Sequence, residues 1–233
     1  MRNKRIVSYI IGILSVCVVL AVMAVILVKR GGDIYAEIGV PVGEGQLSWG
    51  MSADKIIEIL GEPTDVEENE YGSTLTYTVQ MSSDIGDVSE LSLAVAKNDL
   101  DDGNGVKLDR GLCYIGMIVE DTTKDLLLEK LSDFYGTLSD DGGSTQMELD
   151  FKKVNPNYFI ESHYCDEWKI ANLPTEEYER LEILYNANRE GSILDNKDAL
   201  VWLGVMGIDE GEAYECRVDI YAELLTFLNA KRD

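Results

Sequence analysis

Residues 112–120 read LCYIGMIVE, nine positions with a charge only at the last. A short run that is apolar almost throughout, rather than at every second position, has the pattern of a strand buried on both faces. The two runs before it behave differently. Residues 74–81 (TLTYTVQM) set Leu75, Tyr77 and Val79 against Thr and Gln, and residues 90–97 (ELSLAVAK) set Leu91, Leu93 and Val95 against small residues. Such alternation predicts half-buried strands, so three successive strands of antiparallel sheet are expected. Between the second and third, residues 98–105 (NDLDDGNG) have the acidity of a calcium loop. Aligning Gly103 or Gly105 with that loop's obligatory glycine puts Leu100 on a ligand position and leaves no Glu at the twelfth, so a hairpin turn is expected instead.

Outward from these strands lie two helices with the same grammar. In residues 47–63 (LSWGMSADKIIEILGEP), Ser52 is a good N-cap, Asp54 suits the positive end of the helix dipole, and Met51 can staple onto Ile56. Ile56, Ile57 and Leu60 share a face, Gly61 suits a left-handed cap, and Pro63 stops the helix. Residues 121–136 (DTTKDLLLEKLSDFYG) offer Asp121 or Thr122 as cap, Leu127, Leu128, Leu131, Phe134 and Tyr135 as an apolar stripe, and Gly136 as terminator. A turn at 140–143 then leads to residues 144–151 (STQMELDF) and 157–165 (NYFIESHYC), which read as a strand pair across Pro156. Helix plus antiparallel strands occurs twice, and the expected fold class is α+β with duplicated units. Residues 176–191 place Tyr178, Leu181, Tyr185 and Asn188 at helical spacing, although Leu181, Ile183 and Tyr185 also alternate; helix is the reading adopted. Residues 199–207 and 214–221 are expected strands, and 222–233 a short terminal helix.

Residues 6–28 (IVSYIIGILSVCVVLAVMAVILV) hold no charged side chain. At about 1.5 Å per residue they would cover roughly 35 Å, against the ~30 Å of a bilayer's hydrocarbon core. Arg2, Lys4 and Arg5 precede them and Lys29 and Arg30 follow. A single-pass transmembrane helix is expected, and its basic flanks put the short tail in the cytoplasm. The expected organisation is a cytoplasmic tail (1–5), the transmembrane helix (6–28), a Gly-rich stalk (29–46), a first α+β repeat (47–120), and a second repeat with a C-terminal extension (121–233). The localisation that follows is a cell membrane, with the rest of the chain extracytoplasmic in the cell envelope. A cleaved signal peptide fits less well, because no polar region precedes a cut near Ala24. The lipobox-like LSVC ending at Cys17 has a bulky Val16 before the cysteine.

All 43 acidic residues but only 15 of the 20 basic ones follow residue 30, a formal net charge of −28 there. A field of that sign repels phosphate backbones, so no nucleic acid is expected as a partner. Cys113, Cys165 and Cys216 lack the CxxC spacing of a zinc site, and three thiols cannot all pair; one disulfide of unknown pairing or buried free thiols are both open. His163, in ESHYC, is the only histidine, and there is no GxSxG elbow to accompany it. No catalytic residue, metal site or cofactor is expected. Aromatic side chains are either core or binding hot spots. Trp49 and Trp168, beside loops, are the expected contact residues if any tryptophan is one.

Residues 49–63 (WGMSADKIIEILGEP), followed by a Tyr-containing strand in TLTYTV, resemble the SmpA/OmlA type of extracytoplasmic module, the family of the outer-membrane-assembly lipoprotein. Gly50, Met51, Ser52, Leu60, Gly61 and Pro63 carry the resemblance. The tandem order of elements is similar to β-lactamase inhibitory protein, which has two copies of a helical segment on antiparallel strands. The chain departs from the family in having residues 6–28 where a lipidated cysteine is usual, and in lacking a proline after Gly136. The resemblance implies an α+β fold and a habit of binding proteins. The expected function is a non-catalytic, membrane-anchored module that binds another protein or envelope component. An acidic inhibitor or immunity-type protein directed at a basic or enzymatic target is the first alternative, and an envelope hydrolase using His163 the second.

Overall fold

In the computed structural model, which describes residues 41–42, 45–140, 149, 153, 158–188, 199–208 and 214–232, the run at 112–120 lies inside the central strand of a wide sheet. The described residues belong to a unit spanning Ile38–Asp233. In chain order its elements are β1 (Pro41–Val42), β2 (Gly45–Gln46), helix α1 (Ala53–Leu60), β3 (Asp65–Asn69), β4 (Gly72–Ser83), β5 (Gly86–Ala96), β6 (Leu100–Asp101), β7 (Lys107–Asp109) and β8 (Gly111–Thr122). Then follow α2 (Lys124–Tyr135), β9 (Leu138–Asp140), β10 (Tyr158–Cys165), α3 (Thr175–Asn188), β11 (Trp202–Ile208), β12 (Tyr214–Tyr221), α4 (Glu223–Asn229) and β13 (Lys231–Arg232).

Eight strands form one antiparallel sheet in the order β3-β4-β5-β8-β12-β11-β10-β9. β8 has a neighbour on each edge: Leu93 lies opposite Ile115 and Leu91 opposite Met117 on one side, and Ile220 and Val218 face the same two residues on the other. Leu75, Leu91, Leu93, Ile115, Met117, Val119, Leu203, Val205, Val218 and Ile220 are all buried, and alternation puts them on one face. At about 2 kcal/mol per buried aliphatic side chain, this layer is the main stabilising term of the sheet.

Helices α1 and α2 cover that face. Ser52 caps α1, its hydroxyl accepting from the Lys55 amide at 3.4 Å, and Tyr77 Oη donates to the Gly61 carbonyl at 3.2 Å where the helix stops. Gly61 takes a φ of +83°, which a side chain would resist. The cap of α2 is Thr123, one residue beyond the two expected, because Thr122 is still paired in β8; its hydroxyl accepts from the Leu126 amide at 3.3 Å. Leu127, Leu131 and Tyr135 are buried beneath it, and Met117 and Ile220 line the same small cavity as Leu131 and Tyr135. A second cluster is built from α3, α4 and the three-stranded sheet β13-β7-β6. Asn188, ending α3, grips β6 like a short strand: its Oδ1 accepts from the Asp101 amide at 2.7 Å and its Nδ2 donates to the Asp101 carbonyl at 2.8 Å. The expected turn after β6 is present, with Asp101 and Asp102 carboxylates accepting from the amides of Gly103, Asn104, Gly105 and Val106.

Two expectations are corrected. The duplicated α+β units are replaced by one large antiparallel sheet with four helices among the described residues, because β8 is apolar on both sides of its backbone and pairs along both edges. The single-pass transmembrane architecture is corrected as well: among the described residues no helix is long and apolar enough to cross a membrane. With it goes the localisation at a cell membrane, extracytoplasmic in the cell envelope. The stretch 6–28 itself lies outside the described residues, as does the expected strand at 144–151 apart from Leu149, which is helical and exposed.

Candidate functional site

The face of the sheet opposite α1 and α2 carries three aligned rows of side chains. Register pairs Tyr114 of β8 with Tyr221 of β12, Tyr221 with Trp202 of β11, and Trp202 with Tyr164 of β10. Four aromatic residues therefore stand abreast on four neighbouring strands. The Tyr114 and Tyr221 ring centroids are 4.8 Å apart and those of Trp202 and Tyr221 are 4.9 Å apart. These separations match the ~4.8 Å spacing of adjacent strands, so the backbone itself sets the row, which is about 15 Å long.

The second row is Gly116, Asp219, Gly204 and Ser162, all buried although they lie on the same face as the aromatic row. Overhanging rings explain this. A Cβ at Gly116 would meet Tyr114 Oη at 2.4 Å, and one at Gly204 would meet the Trp202 ring at 3.1 Å. Each glycine leaves its neighbouring ring free to lie across the strand. The third row, Ile118, Arg217, Met206 and Ile160, is half-buried except for the exposed Arg217.

A polar knot fixes the row from below. Tyr114 Oη donates to Asp219 Oδ1 at 2.6 Å, Arg217 Nε donates to the same oxygen at 2.9 Å, and Arg217 Nη2 donates to Tyr114 Oη at 2.9 Å. Burial, and then the bond to Asp219, raises the Tyr114 phenol above its ordinary range. Burial works against the Arg217 charge, but the bonds to Asp219 and Tyr114 outweigh it and hold its pKa above normal. The knot is thus an ion pair with a locked phenol, an arrangement that orients rings and offers no poised proton acceptor.

Beside the row opens a cleft of about 410 Å³, lined by Tyr164, Trp202 and Tyr221, by Tyr185 of α3, and by Glu223 and Leu224 of α4. Its size falls in the range of small-ligand or side-chain pockets. Glu223 also lies 3.7 Å from Arg110 Nη1, and Arg110 forms a closer pair with Asp99.

The residues singled out in the sequence fare differently. Trp49 is 2% exposed and belongs to the core, so it cannot serve as a contact residue. Trp168 is half-buried in the single turn Asp166–Trp168, its carbonyl accepting from the Leu200 amide at 2.6 Å. His163 points to the other face of β10 from Tyr164, its Nε2 3.3 Å from Glu161 Oε2, while Lys124 Nζ donates to Glu161 Oε1 at 2.5 Å. Cys113, Cys165 and Cys216 are free. Cys216 sits six residues along β12 from Ala222, whose amide bonds Cys113, a separation of about 20 Å that no disulfide can bridge. Burial pushes the Cys165 thiol up to about 12 and the Cys216 thiol up to about 11, and raises that of Cys113, so none is an activated nucleophile. Among the described residues no group of His, Cys, Asp and Glu could hold a metal ion. No protein-family model, no curated protein and no solved structure matches the chain.

Proposed function

We propose that the chain is a non-catalytic protein-binding module whose working surface is the aromatic face of the sheet, opposite α1 and α2. The observation that carries this reading is the row Tyr114, Tyr221, Trp202 and Tyr164, with Arg217 beneath it. Tyr, Trp and Arg are the residues that dominate binding energy at protein interfaces. Held by strands and by a hydrogen-bonded knot, they lose little conformational freedom when a partner docks. A stacking role toward nucleic acid is disfavoured by the formal net charge of −23 and by the engagement of Arg217 with Asp219. The likeness of residues 49–63 to SmpA/OmlA-type modules agrees with protein binding.

The test is affinity capture from the source cells with the full chain as bait, comparing wild type with Trp202→Ala, Tyr221→Ala and a control, Lys55→Ala on the outer side of α1. A partner retained by the control and weakened about thirtyfold by either row variant is expected, the size of a hot-spot loss. A partner indifferent to both row variants would overturn the assignment of the surface.

A further inference from the structure

We infer that the cleft beside the aromatic row receives an arginine side chain from a basic segment of the partner protein. The inference rests on the protein-binding reading above and adds the chemistry of the partner. Three observations point the same way. Trp202, Tyr221, Tyr164 and Tyr185 turn four aromatic side chains toward one concavity of about 410 Å³. Aromatic faces are electron-rich, and a cation enclosed by several of them is attracted by each; guanidinium, being planar and weakly hydrated, stacks on such rings better than ammonium does. One carboxylate, Glu223, stands at the lining and is half exposed. A guanidinium in the cleft would stand beside this carboxylate, which already faces Arg110 at 3.7 Å, and a carboxylate is the group that a guanidinium pairs with most strongly.

Charge complementarity supplies the third observation. The chain carries a formal net charge of −23, and the strand at one edge of the sheet, β3, is Asp-Val-Glu-Glu-Asn with every residue exposed. Such a field draws in basic segments and repels acidic ones before any contact is made. An apolar occupant would make no use of Glu223, and an anion would meet a carboxylate.

The experiment follows the Trp202 indole N–H by NMR in the full chain, its signal identified with Trp202→Phe. The probes are the peptide acetyl-Gly-Ser-Arg-Ser-Gly-amide, the same peptide with neutral citrulline in place of arginine, and tetramethylammonium chloride. The arginine peptide is expected to shift the Trp202 signal with a Kd on the order of 1 mM, and the citrulline peptide to bind at least about tenfold more weakly. Glu223→Gln, checked for an unchanged unfolding midpoint because Glu223 also faces Arg110, should weaken the arginine peptide about threefold to tenfold. Lys55→Ala, on the outer side of α1, should leave it unchanged. A Trp202 signal unmoved by the arginine peptide, or moved equally by citrulline, would overturn the inference. A response to tetramethylammonium alone would overturn it in favour of a free organic cation. If the row variants abolish capture of a partner while the arginine peptide is silent, the protein-binding surface stands and the arginine pocket falls; if captured partners ignore the row, whose Trp202 and Tyr221 line the cleft, both the surface and the entry of a partner's arginine are overturned, even where the peptide binds.

Discussion

Tyr135 illustrates how the core treats single polar groups. Its ring is 2% exposed under α2, packed edge-on against Phe134 at 4.7 Å, and its hydroxyl has no hydrogen-bond partner among the described residues. A buried hydroxyl left unpaired costs free energy that a phenylalanine would not. Tyr135→Phe is therefore expected to be neutral or stabilising by up to about 1 kcal/mol in urea unfolding, and a loss of that size would contradict the account. The thiols make a second residue-scale prediction. Burial holds Cys165 near 12 and Cys216 near 11, whereas both ionise near 9.0 when exposed. Because the folded-state values are raised, the stability linked to these thiols is complete below pH 9.0 and is lost as the pH climbs toward 11 and 12, as the unfolded chain releases protons that the folded chain keeps. Stability measured between pH 8 and pH 10 should fall less steeply in the double variant Cys165→Ala, Cys216→Ala than in the wild type. Parallel profiles would show that the thiols are not buried as described.

At the scale of elements, what can be read in the sequence is what local periodicity decides. The alternation of Leu75, Tyr77 and Val79, or of Leu91, Leu93 and Val95, fixes which side of each strand meets the core, and Ser52 with Gly61 fixes both ends of α1 without reference to anything distant. What was not legible is register. YECRVDIY shows that Arg217, Asp219 and Tyr221 share a face, but nothing local says that Tyr221 lies between Tyr114, 107 residues earlier, and Trp202. The aromatic row exists only through those pairings, so Trp202 cannot be singled out from its own stretch of sequence, whereas Trp49 and Trp168 are noticed for their nearness to loops. The sheet edges are also element-scale features. β3, with Asp65, Glu67 and Glu68 all exposed, presents unpaired backbone along an acidic strand, and charge on an edge prevents a second chain from pairing there. Replacing Glu67 and Glu68 together by threonine should leave the fold intact and raise light scattering on mild heating. An unchanged onset of scattering would remove this role from the edge charges.

For the molecule as a whole, the β8–β12 seam decides both fold and site. Strands contributed by the first part of the chain end at β8, those of the second part begin inward from β12, and the buried layer runs through both without interruption. The polar knot and one end of the proposed surface depend on that seam: Tyr114 and Asp219 bond across it, Arg217 reaches over it, and the aromatic row crosses it between Tyr114 and Tyr221. The most direct measurement is a nuclear Overhauser spectrum of the full chain with tyrosine rings labelled. Strong cross-peaks between the Tyr114 and Tyr221 rings, whose centroids lie 4.8 Å apart, are predicted, together with backbone cross-peaks between Met117 and Val218. Their absence from a folded chain would mean that β8 and β12 do not pair, and the single sheet, the four-residue row and its knot would not exist.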